Sequence, residues 1–265
     1  MSKPKHLDRM TELHVTSTLD GSSEPSLFHM GGEGKPLIVG LHPWSGDRFN
    51  QVDNLLPFAE KLGWSLLLPE FRGPNLRTNP RAAEACGSRL AKQDIIDAVE
   101  YVKANYPVDG GNIFIMGVSG GGHMALLMAG YAPTYWRAVA SFVPLTSVET
   151  WYHEKKDNPV GGSYALDMEA CCGGEPSPAT YDEYKYRSPL TYAAEIARSE
   201  TSIWSGVYDP SIPCHHGWDM YEAAHKIDPK AHVFLHMFDG GHEMPLDEAE
   251  RWFLSRYRPA AGISC

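Results

Sequence analysis

The chain has 265 residues, 43% of them hydrophobic, and a formal net charge of −10. That length and apolar content suit one large domain with its own core and exclude a disordered chain. The acidic balance argues against nucleic acid and against an anionic membrane surface as partners, because both call for concentrated Lys and Arg.

The N-terminal stretch MSKPKHLDRMTEL has a few basic residues and no apolar segment behind them. No secretory signal is therefore expected. No apolar run of about 18 residues suggests a membrane span, so the expected location is the cytoplasm. The five cysteines are Cys86, Cys171, Cys172, Cys214 and Cys265, and they show no Cys-x-x-Cys spacing for zinc or redox chemistry. The neighbours Cys171 and Cys172 are poor partners for each other. Reduced thiols are expected, with a bridge from Cys86 to one of that pair as the alternative.

Residues 13–18 alternate apolar and polar, as a half-buried strand does, and residues 25–30 read as its hairpin partner across an Asp20-Gly21 turn. A glycine-rich loop leads to a buried strand over 36–41, a short helix over 54–62 and a further central strand over 64–68. Residues 69–88, rich in Pro, Arg, Asn and Gly, read as an ordered loop near the site. Ile95, Ile96, Val99 and Val102 fall at helical spacing within 93–105. A strand is expected over 112–116, a helix over 120–130 and a strand over 138–143. Residues 144–198 break this rhythm and read as an inserted cap, with Trp151 and Tyr152 close to its start. Strand, helix, strand and helix then follow over 201–205, 217–226, 231–237 and 245–257. Alternating buried strands and helices imply an α/β domain spanning 1–265. Its sheet of about eight strands is mostly parallel and covered on both faces.

Ser119 lies in Gly117-Val118-Ser119-Gly120-Gly121, between the expected strand and the expected helix. A serine on such a tight strand-to-helix turn presents its hydroxyl above the sheet as a nucleophile. Of the twelve histidines, His242 follows the last strand, where it can reach the serine and accept its proton. Asp209, after the penultimate strand, would orient that imidazole. Asp239 sits too near His242 in the same loop, and Asp219 falls in a helix. His123, His215, His216, His225 and His236 are read as structural or peripheral. The backbone N–H of Gly120 is one expected oxyanion donor and that of Trp44, after the first central strand, the other. Trp44, Trp151 and Tyr152 are the candidate substrate-pocket residues. Arg72 is expected to brace the nucleophile loop through Asp94. No metal cluster stands out, and the likeness of His215, His216 and Asp219 to a ligand set is superficial.

These markers, with His42-Pro43-Trp44-Ser45-Gly46-Asp47, Phe71-Arg72-Gly73, Arg187-Ser188-Pro189-Leu190 and Gly240-Gly241-His242, resemble the catalytic domain of the prolyl-oligopeptidase-like branch of the α/β-hydrolases. The resemblance runs from about Lys35 to Tyr257. It implies the α/β-hydrolase fold, a Ser119–Asp209–His242 triad, and oxyanion donors on Gly120 and the loop after His42. Two departures stand out. Little chain precedes the first core strand, so the β-propeller that accompanies large peptide-cleaving members is not expected here. The loop after His42 reads Pro-Trp-Ser where those peptidases carry Gly-Gly-Pro. The chain is also similar to dienelactone-hydrolase-like enzymes, many of which use cysteine at the position of Ser119.

The leading expectation is a serine hydrolase of small carboxylic esters, needing neither metal nor organic cofactor. A peptidase or amidase acting on short peptides is the alternative, with Glu149, Glu154 and Asp157 as a candidate anchor for a peptide N-terminus. A catalytically silent ligand-binding protein is the alternative from another class. Homo-oligomer formation stays open.

Overall fold

The computed structural model describes residues 3–157 and 162–259; Cys265 lies outside them. The described residues form an eight-stranded sheet with helices on both faces. Its strands are β1 (Thr11–Thr16), β2 (Ser23–His29), β3 (Leu37–Leu41), β4 (Ser65–Pro69), β5 (Ile113–Val118), β6 (Ala138–Phe142), β7 (Thr201–Gly206) and β8 (Val233–Phe238). They lie in the order β1-β2-β4-β3-β5-β6-β7-β8. The β1–β2 and β2–β4 pairs are antiparallel, and the remaining pairs are parallel.

The central strands show why a parallel sheet forms. Leu-Ile-Val-Gly-Leu in β3 and Ser-Leu-Leu-Leu-Pro in β4 are buried at every position, so neither face can meet water. Helices cover both faces. Leu37, Val39, Ile115, Val139 and Ile203 pack with residues of α2 (Arg89–Asn105), α3 (Gly120–Tyr131) and α8 (His215–Ile227). Ile38, Phe114, Met116, Ala140 and Trp204 pack with α1 (Val52–Leu62) and α9 (Leu246–Arg256). Phe114 is held between Trp64 and Phe253, with ring centroids 4.9 and 4.8 Å away. Full burial of such a side chain contributes about 1.5–3 kcal/mol.

Local chemistry sets the helix ends. The Ser88 hydroxyl accepts the Ala91 N–H and caps α2. Gly63, at φ 68°, ends α1 in the left-handed conformation. The helix α3 is buried along nearly its whole length, because the sheet lies under one side and other helices cover the rest.

Between β6 and β7 the chain forms α4 (Val148–Lys156), α5 (Gly162–Cys172), α6 (Tyr181–Tyr186) and α7 (Ala193–Ile196). Leu145, Val148, Trp151, Tyr152, Met168 and Tyr184 build a third apolar cluster there, which also takes in Trp44. Cys86, Cys171 and Cys172 are buried in this cluster as free thiols, and Cys214 is also free.

One charged residue works against this packing. Lys92 of α2 is 1% exposed, and its Nζ lies 3.6 Å from the centroid of the Tyr186 ring and 5.0 Å from that of Tyr192. Burial, with the Arg187 charge, pushes its pKa down to about 7. The unfolded chain holds this proton up to about pH 10.4. Stability therefore rises with pH between those two values, and the folded protein carries the full penalty below pH 7. Lys92→Met is expected to stabilise the protein by on the order of 2–4 kcal/mol below pH 7, cation–π losses included, with the gain vanishing toward pH 10.4. Thermal melts of both proteins at pH 6 and pH 10 check this. A lower Tm for Lys92→Met at pH 6 would contradict it.

Candidate active site

The site lies at the carboxyl edge of the parallel strands, where open α/β sheets place their ligands. Trp44 follows β3, Ser119 follows β5, Asp209 follows β7 and His242 follows β8. Each expected residue thus comes from a different strand, and all reach the same edge.

Ser119 has φ 60° and ψ −123°, a region that costs a non-glycine residue about 1–3 kcal/mol. Two contacts hold it there. Its N–H donates to Phe142 O at 2.9 Å, and its carbonyl accepts the His123 N–H at 2.9 Å. The sharpness of the turn explains the glycines around it. A Cβ on Gly117 would stand 2.4 Å from the Gly121 carbonyl group. One on Gly120 would stand 2.4 Å from the Trp44 amide nitrogen. The second contact places the Gly120 and Trp44 backbones side by side. Gly120 opens α3, so its N–H has no partner within the helix. The Trp44 N–H likewise has no backbone partner among the described residues.

His242 Nδ1 lies 2.7 Å from Asp209 Oδ2. The His242 side chain is 28% exposed, whereas that of Asp209 is 1% exposed. The other Asp209 oxygen accepts the Ser211 and Ile212 N–H groups at 2.7 and 2.9 Å. Burial opposes ionisation of Asp209, but the His242 hydrogen bond and the two amides outweigh it and hold the carboxyl below its usual range. An ionised Asp209 accepts from Nδ1–H, which leaves the Nε2 lone pair as the basic site of the imidazole.

The aromatic residues expected at the pocket are largely enclosed. Trp44 and Trp151 are each 2% exposed, and their rings meet edge to face at 5.0 Å. Trp151 Nε1 donates to Ser211 O in the Asp209 loop. The Tyr152 hydroxyl donates to Glu169 Oε1, within the helical insertion. Trp151 thus ties the insertion to both the Trp44 loop and the Asp209 loop, and Tyr152 packs inside the insertion.

Other sequence candidates take structural places. Arg72, with a side chain 1% exposed, bonds Asp94, Asp20 and Glu84, and joins the loop after β4 to α2. His123 is buried and donates from Nε2 to Arg187 O at 2.7 Å. Burial pushes its pKa down to about 4, so it is neutral at physiological pH. Glu154 lies between His215 Nε2 at 2.7 Å and His216 Nε2 at 3.3 Å, a spacing compatible with a metal ion. However, the Thr146 N–H donates to His216 Nδ1. That bond puts the His216 hydrogen on Nε2, where it donates to Glu154 instead of offering a lone pair to a metal. His215 also bonds Asp219.

Residues 87–257 match the model of the prolyl oligopeptidase family. The chain is 20% identical over 252 residues to acylamino-acid-releasing enzyme 2 of Oryza sativa subsp. japonica, covering 90% of this chain and 30% of that protein. Among solved structures, an acylaminoacyl peptidase of Pyrococcus horikoshii is similar with a TM-score of 0.69 and 18% identity, over 94% of this chain and 40% of that one. A puromycin-hydrolysing peptidase of Mycobacterium tuberculosis gives a TM-score of 0.71 at 18% identity, over 94% and 38%. An esterase of Pyrococcus furiosus gives 0.70 at 19% identity, over 97% of this chain and 94% of its own. The chain therefore spans less than half the length of the peptidases it resembles. Its fold is that of a serine hydrolase related to both peptidases and esterases, and the chain belongs to the prolyl oligopeptidase family.

Proposed function

We propose that this protein is a serine-type peptidase or amidase acting on short substrates. The observation that carries the reading is the Asp209–His242 hydrogen bond on the sheet edge that also bears the strained Ser119 and the adjoining Gly120 and Trp44 backbones. In this reading Ser119 Oγ attacks the scissile carbonyl and His242 Nε2 takes its proton. The Gly120 and Trp44 N–H groups stabilise the oxyanion. His242 then protonates the departing amine, and a water that it activates releases the acyl group from Ser119. Asp209 stays ionised and stabilises the imidazolium throughout. The helical insertion over 144–198 acts as the cap of this site, with Trp151 as its link to the catalytic loops. No step needs a metal or an organic cofactor.

The order of substrates reverses the expectation from sequence, which placed esters first. The family match and the peptidase relatives favour peptides. Ester hydrolysis stays as the second reading, because the P. furiosus esterase matches along nearly its entire length. Purified protein and its Ser119→Ala variant, assayed on matched short acyl esters and dipeptide amides, separate the two. Faster Ser119-dependent turnover of the amides, relative to their uncatalysed rates, is the expected result. Turnover confined to the esters would reject the peptidase reading. No helix among the described residues is long and apolar enough to cross a membrane, and the substrate is taken to be a small molecule or short peptide.

A further inference from the structure

Three buried thiols meet where the helical insertion joins the rest of the molecule. Cys86 lies in the segment between β4 and α2, and Cys171 and Cys172 close α5. Each is 3% exposed or less. The Cys86 and Cys171 thiols face each other as hydrogen-bond partners. Around them α5 packs on the short helical turn over Ala82–Glu84.

Arg187 completes the arrangement. Its guanidinium donates to Ala83 O at 2.8 Å, Ala85 O at 2.6 Å and Cys86 O at 3.2 Å. A fixed positive charge therefore stands beside the sulfurs. Its carboxylate partner, Glu183, has a side chain 53% exposed, so that pair is open to solvent on the acidic side. The three thiols consequently differ. The Cys171 hydrogen bond, aided by the Arg187 charge, outweighs burial and holds the Cys86 thiol below its usual range. The same hydrogen bond, together with burial, pushes Cys171 up. Burial pushes Cys172 up. Cys86 is thus the sulfur that attacks, Cys171 the one that resolves, and Cys172 a bystander. Burial limits the oxidant to a small neutral molecule that reaches the pair through local opening.

We propose that Cys86 and Cys171 form a reversible disulfide on exposure to a peroxide, fastening the insertion to the segment after β4. The Cys86 thiolate attacks one oxygen of hydrogen peroxide and the O–O bond breaks. Cys86 becomes a sulfenic acid, and the departing hydroxide takes up the proton that the thiol had released, giving water. The Cys171 sulfur then attacks the sulfenic sulfur. The S–O bond breaks, and hydroxide leaves with the Cys171 proton as a second water. Two thiols are oxidised and one peroxide is reduced to two waters. A dithiol reverses the bond by exchange. The link bears on the candidate active site through Asn75. The Asn75 side-chain oxygen accepts the Cys86 N–H at 2.7 Å, and the Asn75 N–H donates to Trp44 O at 2.8 Å. Closing the long loop between residues 86 and 171 also restricts the unfolded chain. None of this needs turnover, so it stands independently of the hydrolase reading.

The test counts thiols. Reduced protein is treated with hydrogen peroxide, denatured in iodoacetamide and measured by intact mass spectrometry, with and without dithiothreitol after the peroxide. The chain has five cysteines. Peroxide-treated wild type should carry two fewer carbamidomethyl groups than reduced wild type, and dithiothreitol should restore both. Cys172→Ser should show the same reversible loss of a pair, whereas Cys86→Ser and Cys171→Ser should each lack it. The oxidised wild type should melt about 5 °C or more above the same sample after dithiothreitol. Wild type that keeps every alkylation site after peroxide would overturn the disulfide, and this measurement needs no variant to fold. A paired loss that persists in Cys86→Ser or Cys171→Ser would overturn the assignment of the two sulfurs. An oxidised form that melts no higher than the reduced one would overturn its role as a fastening.

Discussion

Ser119→Ala is expected to lower kcat by about a million-fold on any substrate the protein turns over. The size of the effect follows from the nature of the group. The hydroxyl makes the covalent bond, and the remaining oxyanion donors and binding contacts accelerate attack by water only modestly. Folding should survive the change. Alanine accepts the positive φ at Ser119 at a cost similar to that of serine, and the Ser119 N–H to Phe142 O bond is a backbone contact. A single-turnover assay with an activated ester measures the loss. A reduction of tenfold or less would mean that the chemistry lies elsewhere.

Asp209→Asn should cost about ten-thousand-fold in kcat near neutral pH. The variant preserves shape, and its amide oxygen can still accept from Ser211 and Ile212. Its NH₂ group would face His242 Nδ1, which must then act as acceptor and carry its hydrogen on Nε2 instead. In that tautomer the ring cannot take the serine proton. KM should change far less than kcat, because Asp209 has a side chain only 1% exposed behind His242 and does not touch substrate. The pH profile follows from the pKa shift. The Asp209 carboxyl is held below its usual range, so it stays ionised across pH 5–9 and its protonation does not limit activity there. A kinetic comparison over pH 5–9 checks both points. An Asp209→Asn enzyme within tenfold of wild type at neutral pH would remove Asp209 from the triad.

The sequence carried the main-chain plan because that plan rests on local signals. The apolar runs read over 36–41 and 112–116 are short and bounded, and they became β3 and β5. The Gly117–Gly121 turn was readable because only glycine fits where backbones approach this closely. The pairing of Asp209 with His242 was expected from the position of each after a strand, since parallel strands deliver their carboxyl ends to one edge. The insertion was less legible. Its helices α4 to α6 lack a strong common periodicity, because they pack on one another and on Trp44 rather than on the sheet, whereas α7 joins the core beside α3 and α8. Trp151 and Tyr152 were read as pocket residues from type and position, and burial depends on partners far away in the chain. Lys92 gave no sign of its enclosure, which comes from Tyr186 and Tyr192.

The central claim is that Ser119 is an activated nucleophile. Intact-protein mass spectrometry after incubation with a fluorophosphonate probe, on wild type and on folded Ser119→Ala, tests it most directly. The account predicts one probe adduct per wild-type chain, mapped to Ser119 by peptide sequencing, and none on the variant. An unlabelled, folded wild type, or equal labelling of both proteins, would contradict it.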